Sequence, residues 1–90
     1  MYKISYTKQA EKDLSALKRN ESKSFKKVVK LIEELMEHPT TGTGMPKQLS
    51  GDRAGQWSRR ISDKHRLIYL IDNKNLIVLL LSAYGHYGDK

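Results

Sequence analysis

The apolar residues of this chain change their spacing once, at His38-Pro39, and that change restricts the fold more than any other feature. Before it they recur at the helical period; after it they alternate or run in short blocks, as strand residues do. Upstream, Ala10, Leu14 and Leu17 fall at i, i+4 and i+7 behind Thr7, a residue type that caps helix N-termini. Asn20 or Ser22 restarts the chain into a second helix, where Phe25, Val28, Val29, Ile32, Leu35 and Met36 hold a 3.6-residue period for three turns. His38-Pro39 ends that helix, because proline disfavours helical geometry in the residue before it. Ahead of both helices, Tyr2 to Tyr6 alternates apolar and polar side chains and reads as a strand.

Downstream, Thr40 to Pro46 is a loop of turn formers with two glycines. No helix follows it, so it is read as a connector and not as a phosphate cradle. Lys47-Gln48-Leu49 makes a short strand and Ser50 to Gly55 a second loop. Gln56 to Ser62, His65 to Ile71 and Asn75 to Ser82 then read as three strands joined by hairpin-length links, Asp63-Lys64 and Asp72-Asn73-Lys74. The sum is α+β: a mostly antiparallel twisted sheet with an N-terminal helical hairpin packed on one face. Ninety residues allow one domain, residues 1–90, with a modest core and no large enclosed cavity. The absence of cysteine excludes disulfides, thiolate metal sites and a cysteine nucleophile. Three histidines in separate segments argue against a metal site, and no cofactor is expected. The longest apolar run, Leu76 to Leu81, suits a buried strand and is far short of the roughly 20 residues of a membrane span. The expectation is a soluble, cytoplasmic protein with no membrane partner.

Charge supplies the first functional hint. Seventeen Lys and Arg against ten Asp and Glu give +7, a field able to attract polyanions. The excess is local. Residues 43–69 hold Lys47, Arg53, Arg59, Arg60, Lys64 and Arg66 against Asp52 and Asp63, whereas residues 70–90 are neutral. Strand parity then sorts the arginines. Trp57, Arg59 and Ile61 share one face of their strand, and Ser58 and Arg60 the other. In the next strand Leu67, Tyr69 and Ile71 form the natural helix-facing set, leaving Arg66, Ile68 and Leu70 on the open face. Arg60 and Arg66 therefore project together from the uncovered side, where they repel unless an anion or acidic segment lies between them. The alternative is that each pairs with a nearby acid such as Asp63, or is solvated. Among the histidines, His38 abuts a proline and His65 alternates away from Arg66. His86, in Tyr84-Gly85-His86-Tyr87, is the one that a strand edge can bring beside the arginines; the alternative is an ordered chain end.

With these residues in view, Gly42-x-Gly44-x-Pro46-x-x-Leu49, then Gly55-x-Trp57-Ser58-Arg59-Arg60-Ile61, His65-Arg66-Leu67-Ile68-Tyr69 and Gly85-His86-Tyr87 together resemble the YoeB/Txe toxins of the RelE/ParE superfamily. The match spans nearly the whole chain. The resemblance implies a RelE-like fold and a ribosome-dependent mRNA endonuclease that inhibits translation. It also implies a cognate antitoxin of the YefM/Axe type as partner, beside the ribosome and mRNA, and frequent dimerisation. By the family pattern the ribose 2′-hydroxyl attacks the adjacent phosphorus without a metal. His86 is the general acid, Arg66 the cation that stabilises the phosphorane, Tyr87 an orienting or stacking group, and Arg60 a backbone contact. Arg59 and Lys64 complete the expected RNA-binding set.

One departure bears on the chemistry. The family usually has a glutamate directly after the loop proline, read as the general base, whereas Lys47 follows Pro46 here. A protonated lysine cannot accept a proton. The resemblance to the more distant RelE toxins gives lysine such a role. Base, second charge stabiliser, or a weaker cleavage all stay open for Lys47. Two other functions stay open as well: a ParE-like inhibitor of DNA gyrase, and a non-catalytic co-repressor acting within an antitoxin complex.

Overall fold

A computed structural model describes residues 1–85 of the chain. It begins with β1 (Lys3–Tyr6), α1 (Lys8–Asn20) and α2 (Ser22–Glu37), continues through β2 (Lys47–Gln48) and a short 3₁₀ turn (Gly51–Arg53), and ends in β3 (Gln56–Arg60), β4 (Arg66–Asp72) and β5 (Ile77–Ser82). The five strands form one sheet in the order β1-β5-β4-β3-β2. β2 to β5 pair antiparallel. β1 lies parallel to β5 at the far edge, with Lys3 opposite Ile77 and Tyr6 opposite Leu80.

Thr7 shows how sequence sets this architecture. Its backbone is extended, and its hydroxyl accepts the N–H of Ala10 at 3.0 Å, which caps α1. The same hydroxyl donates to the carbonyl of Leu81 at 2.9 Å, so the start of α1 is pinned to the end of β5. A single residue, Glu21, separates the helices, and it holds no side-chain cap for α2. Its carboxylate is used elsewhere, as described below.

The core lies between the hairpin and one face of the sheet. Ala10, Leu17, Val28, Leu31 and Leu35 from the helices meet Ile61, Leu67, Tyr69, Val78 and Leu80 from the sheet, with Trp57 and Ile71 packed alongside. The helix-facing set of β4 is thus the one that parity assigns. The stripe of α2 is rotated from expectation: Leu31 is fully buried, whereas Val29 is 39% exposed. Val29 lies at the rim of a groove with Tyr6, Leu14, Phe25 and Ile32.

Between Ile68 and Tyr69 the β4–β5 register shifts. Ile68 stands opposite Ser82 and Tyr69 opposite Leu80, so Leu81 is an extra residue on β5. Bulges of this kind bend a strand and sharpen its twist. The chain beyond Ser82 continues beside the start of β4, where the N–H of Arg66 donates to the carbonyl of Gly85 at 3.0 Å.

The glycines of the 40–46 loop serve packing. Gly44 has φ +87, and a Cβ there would meet the carbonyl oxygen of Arg60 at 2.9 Å. That close approach lets its own carbonyl accept the N–H of Arg60 at 2.7 Å, which joins the loop to the end of β3.

Candidate active site

The face of the sheet turned away from the helices carries a compact set of basic side chains, placed by register around the buried Ser58 and Ile68. Arg60 and Arg66 are direct cross-strand partners, so their Cα atoms lie about 5 Å apart. One rung away, Lys47 of β2 stands opposite Ser58, and Ser58 opposite Ile68. Partners directly opposite share a face, so Lys47, Arg60 and Arg66 emerge on the same side. Strand spacing and rise put the Cα of Lys47 roughly 12 Å from that of Arg66, within convergence range of two long side chains. Lys47 is exposed and Arg66 half-buried.

The cations differ in how they are held. The Arg60 guanidinium pairs with Asp63 across the hairpin turn, with both side chains open to solvent. An exposed pair of this kind is worth at most about 1 kcal/mol, so a phosphate can displace Asp63. Arg66 donates through Nη1 to the carbonyls of Ser62 and His65, which fixes its guanidinium above the same turn. Lys64 lies on that turn and is exposed.

Arg59 corrects an expectation. It shares a strand face with Trp57 and Ile61 and is completely buried, so it is not available to RNA. Its guanidinium donates to Glu34 Oε1 at 2.9 Å, to the carbonyl of Thr41 at 2.6 Å and to that of Thr43 at 3.2 Å. The carbonyl of His38 and the hydroxyl of Tyr69 take the remaining bonds. Tyr69 in turn donates to the carbonyl of Pro39 at 2.8 Å. Five acceptors around one planar fork make Arg59 the clamp that shapes residues 38–43, and through them the approach to Lys47. The Glu34 carboxyl is held below the usual range, first by the Thr43 hydroxyl, then by the Thr43 N–H and Arg59. Burial pushes the Tyr69 phenol up.

His86 and Tyr87 lie outside the described residues. The chain leading to them is held from two sides. Asp13, itself buried, accepts the N–H of Ala83 at 2.9 Å and is steadied by Gln9 at 2.8 Å. His65 Nδ1 accepts the N–H of Gly85 at 2.7 Å. Asp13, Glu34 and His65 carry no signal of this role in their local sequence, save that His65 has the strand parity of the core residues Leu67 and Tyr69. Among the described residues, no group of three His, Cys, Asp or Glu gathers at metal-binding distance, and no helix is long and apolar enough to cross a membrane.

A helical hairpin on one face of a five-stranded sheet, with paired arginines on the other, defines a small α+β protein of RelE-like architecture. The family model that matches residues 6–87 is the YoeB-like toxin of bacterial type II toxin–antitoxin systems. Toxin YoeB of Synechocystis sp. is 35% identical over 85 residues, covering 94% of this chain and 96% of that protein. Among solved structures, a YoeB/ParE toxin from Agrobacterium tumefaciens superposes with a TM-score of 0.89 at 30% identity, covering 94% of this chain and 99% of that one. The toxin in a YoeB–YefM complex from Staphylococcus aureus gives 0.82 at 30% identity, covering 97% and 99%. The chain belongs to the YoeB-like family, and it is the toxin component of a type II toxin–antitoxin system.

Proposed function

We propose that this toxin is an endoribonuclease that cuts mRNA on the ribosome, with Arg66, His86, Tyr87 and Lys47 as its reacting set and Arg60 and Lys64 as further RNA contacts. The observation that supports it best is the Arg60–Arg66 cross-strand pair on the face away from the helices, with the Gly85 carbonyl bonded to the backbone of Arg66. His86 is the next residue in sequence. In this reading a message phosphate lies between the two guanidiniums. The 2′-hydroxyl loses its proton and its oxygen bonds to phosphorus. The bond to the 5′-oxygen breaks, and His86 supplies the proton that oxygen needs. The products are a 2′,3′-cyclic phosphate and a 5′-hydroxyl. Acid–base assistance contributes about 10²–10⁴ in rate, and oriented charge at the phosphorane about 10²–10³ per group.

Lys47 takes the position of the usual glutamate, and two roles fit it: a neutral amine that receives the 2′-hydroxyl proton, or a cation that stabilises the phosphorane. The ribosome supplies the substrate positioning that a domain of this size lacks. The partner is an acidic antitoxin segment that covers the basic face, as the +7 charge favours, and the protein acts in the cytoplasm. Primer extension on a translated message tests the reading. Wild type should give discrete, ribosome-dependent cuts, and His86→Ala and Arg66→Ala should lose them while remaining folded. Wild-type cutting by both variants removes the proposed site. Inhibition of DNA supercoiling without any cutting replaces the reading with a gyrase inhibitor.

A further inference from the structure

His65 belongs to no part of the cationic set, yet it joins three separate stretches of the chain. It is buried, 3% exposed, at the start of β4. Its Nε2 lies 2.8 Å from Glu21 Oε2 at the helix–helix junction, and its Nδ1 accepts the N–H of Gly85. An Nδ1 that accepts must carry a free lone pair. The ring proton is therefore on Nε2, which donates to Glu21. This bond is the first reason the Glu21 carboxyl titrates below its ordinary value, with Lys64 and Tyr84 adding to the effect. The Tyr84 ring packs against the imidazole at 4.4 Å, and Ser62 Oγ accepts the backbone N–H of His65. Both backbone polar groups of Gly85 are thus taken by the His65-Arg66 dipeptide, the N–H by the imidazole and the carbonyl by the N–H of Arg66.

We propose that His65 is a positioning residue for the cleavage reaction, fixing the chain at Gly85, one residue before His86, against the strand that bears Arg66. This rests on the reading of His86 as the general acid. The physical reason is geometric: a misplacement of about 1 Å in a reacting group costs up to about 10²-fold in rate. The message itself is held by Arg60, Arg66 and Lys47, so a loosened anchor lowers kcat and leaves KM in place. The bond from Ala83 to Asp13 holds the chain two residues earlier, so losing the His65 bond leaves Gly85 tied only through its carbonyl to Arg66 and does not release β5.

Two substitutions divide the imidazole's two tasks. His65→Asn puts an acceptor near the position of Nδ1, and His65→Gln a donor near that of Nε2. The probes are amide hydrogen exchange at Gly85, read by NMR on the full chain, and single-turnover cleavage of a message on the ribosome. In His65→Gln, Gly85 exchange should rise about tenfold or more, and kcat should fall about 10- to 100-fold with KM within about twofold. His65→Asn should recover Gly85 protection and most of kcat. Unchanged Gly85 exchange in His65→Gln overturns the anchor. Equal losses of kcat in the two variants that follow their melting temperatures overturn the positioning role. If the wild type cuts no RNA, the positioning role falls with the ribonuclease reading, and Gly85 exchange still decides separately whether His65 anchors the chain there.

Discussion

Replacing Arg59 by methionine should destabilise the fold far more than loss of a surface arginine would, and should remove no direct RNA contact. Methionine keeps an aliphatic stem and removes every donor. Of the five acceptors, Glu34 retains the Thr43 N–H at 2.8 Å and the Thr43 hydroxyl at 2.6 Å, and Tyr69 retains its bond to Pro39. The carbonyls of Thr41 and Thr43 belong to exposed residues and can turn to water. His38 is exposed like Thr41 and Thr43, so what remains is the loss of charge-assisted bonds worth about 1.5–3 kcal/mol each. With the Glu34 side chain 33% exposed, the total comes to about 3 kcal/mol, the lower end of the range for breaking a buried ion pair. At about 4–8 °C per kcal/mol for a domain of this size, the midpoint should drop by at least about 12 °C. Thermal and urea unfolding followed by circular dichroism measure it. Arg59→Lys should recover less than half of the loss, since an ammonium cannot span five acceptors in one plane. A cost below about 1 kcal/mol, together with a weaker salt dependence of RNA binding, would refute the clamp and return Arg59 to the RNA-contacting set.

Arg60→Gln should behave in the opposite way, leaving the melting temperature within about 2 °C while lowering the slope of log K against log salt for single-stranded RNA by about 0.7. Gly44→Ala should cost about 1–3 kcal/mol in urea unfolding, because the new methyl meets the Arg60 carbonyl at a residue with φ +87. Glu34 has a lowered folded pKa, so its stabilising contribution is present above the ordinary glutamate value, about 4.3, and is lost as pH falls through the folded value. Glu34→Gln should therefore flatten the acid limb of a stability–pH curve below pH about 4; an unchanged limb would contradict this. The first turn of α2 has no acidic residue, and Lys23 stands four residues before Lys27. Lys23→Glu should raise stability by about 0.5–1 kcal/mol through the helix dipole and a new i,i+4 pair. Lys47→Ala should slow cleavage and Lys47→Glu preserve or raise it; an unchanged rate in Lys47→Ala would leave that residue as a contact only.

The helices, the strands and the face borne by each β4 residue were legible because each depends on residues close in sequence. Thr7, Pro39 and the alternation from Leu67 to Ile71 need no distant partner to act. The parallel pairing of β1 with β5 was not legible, since it joins the two ends of the chain through the core. Arg59 and His65 show where the boundary falls. Parity already set Arg59 beside Trp57 and Ile61, but composition weighed it as one more cation. Its acceptors lie on residues 34–43 and 69, and a guanidinium's burial depends on finding them. For His65, the partner Glu21 is 44 residues away and Gly85 is 20. Side-chain identity alone cannot announce such pairings. The departure at Lys47 was visible at once, because it is a matter of one residue following another.

The extra residue at Leu81 makes chain length a determinant in its own right. Between the grip of Thr7 on Leu81 and that of His65 on Gly85, the polypeptide has four steps in which to leave the sheet and return to Arg66. Swapping one side chain for another within that span alters fit by degrees. One inserted residue would turn every later group to the reverse side of the layer, and loss of Leu81 would straighten the ladder and remove both the bend and the carbonyl that Thr7 holds. Indels at the end of β5 should thus abolish toxicity even where the protein still folds, whereas most point changes there should only weaken it.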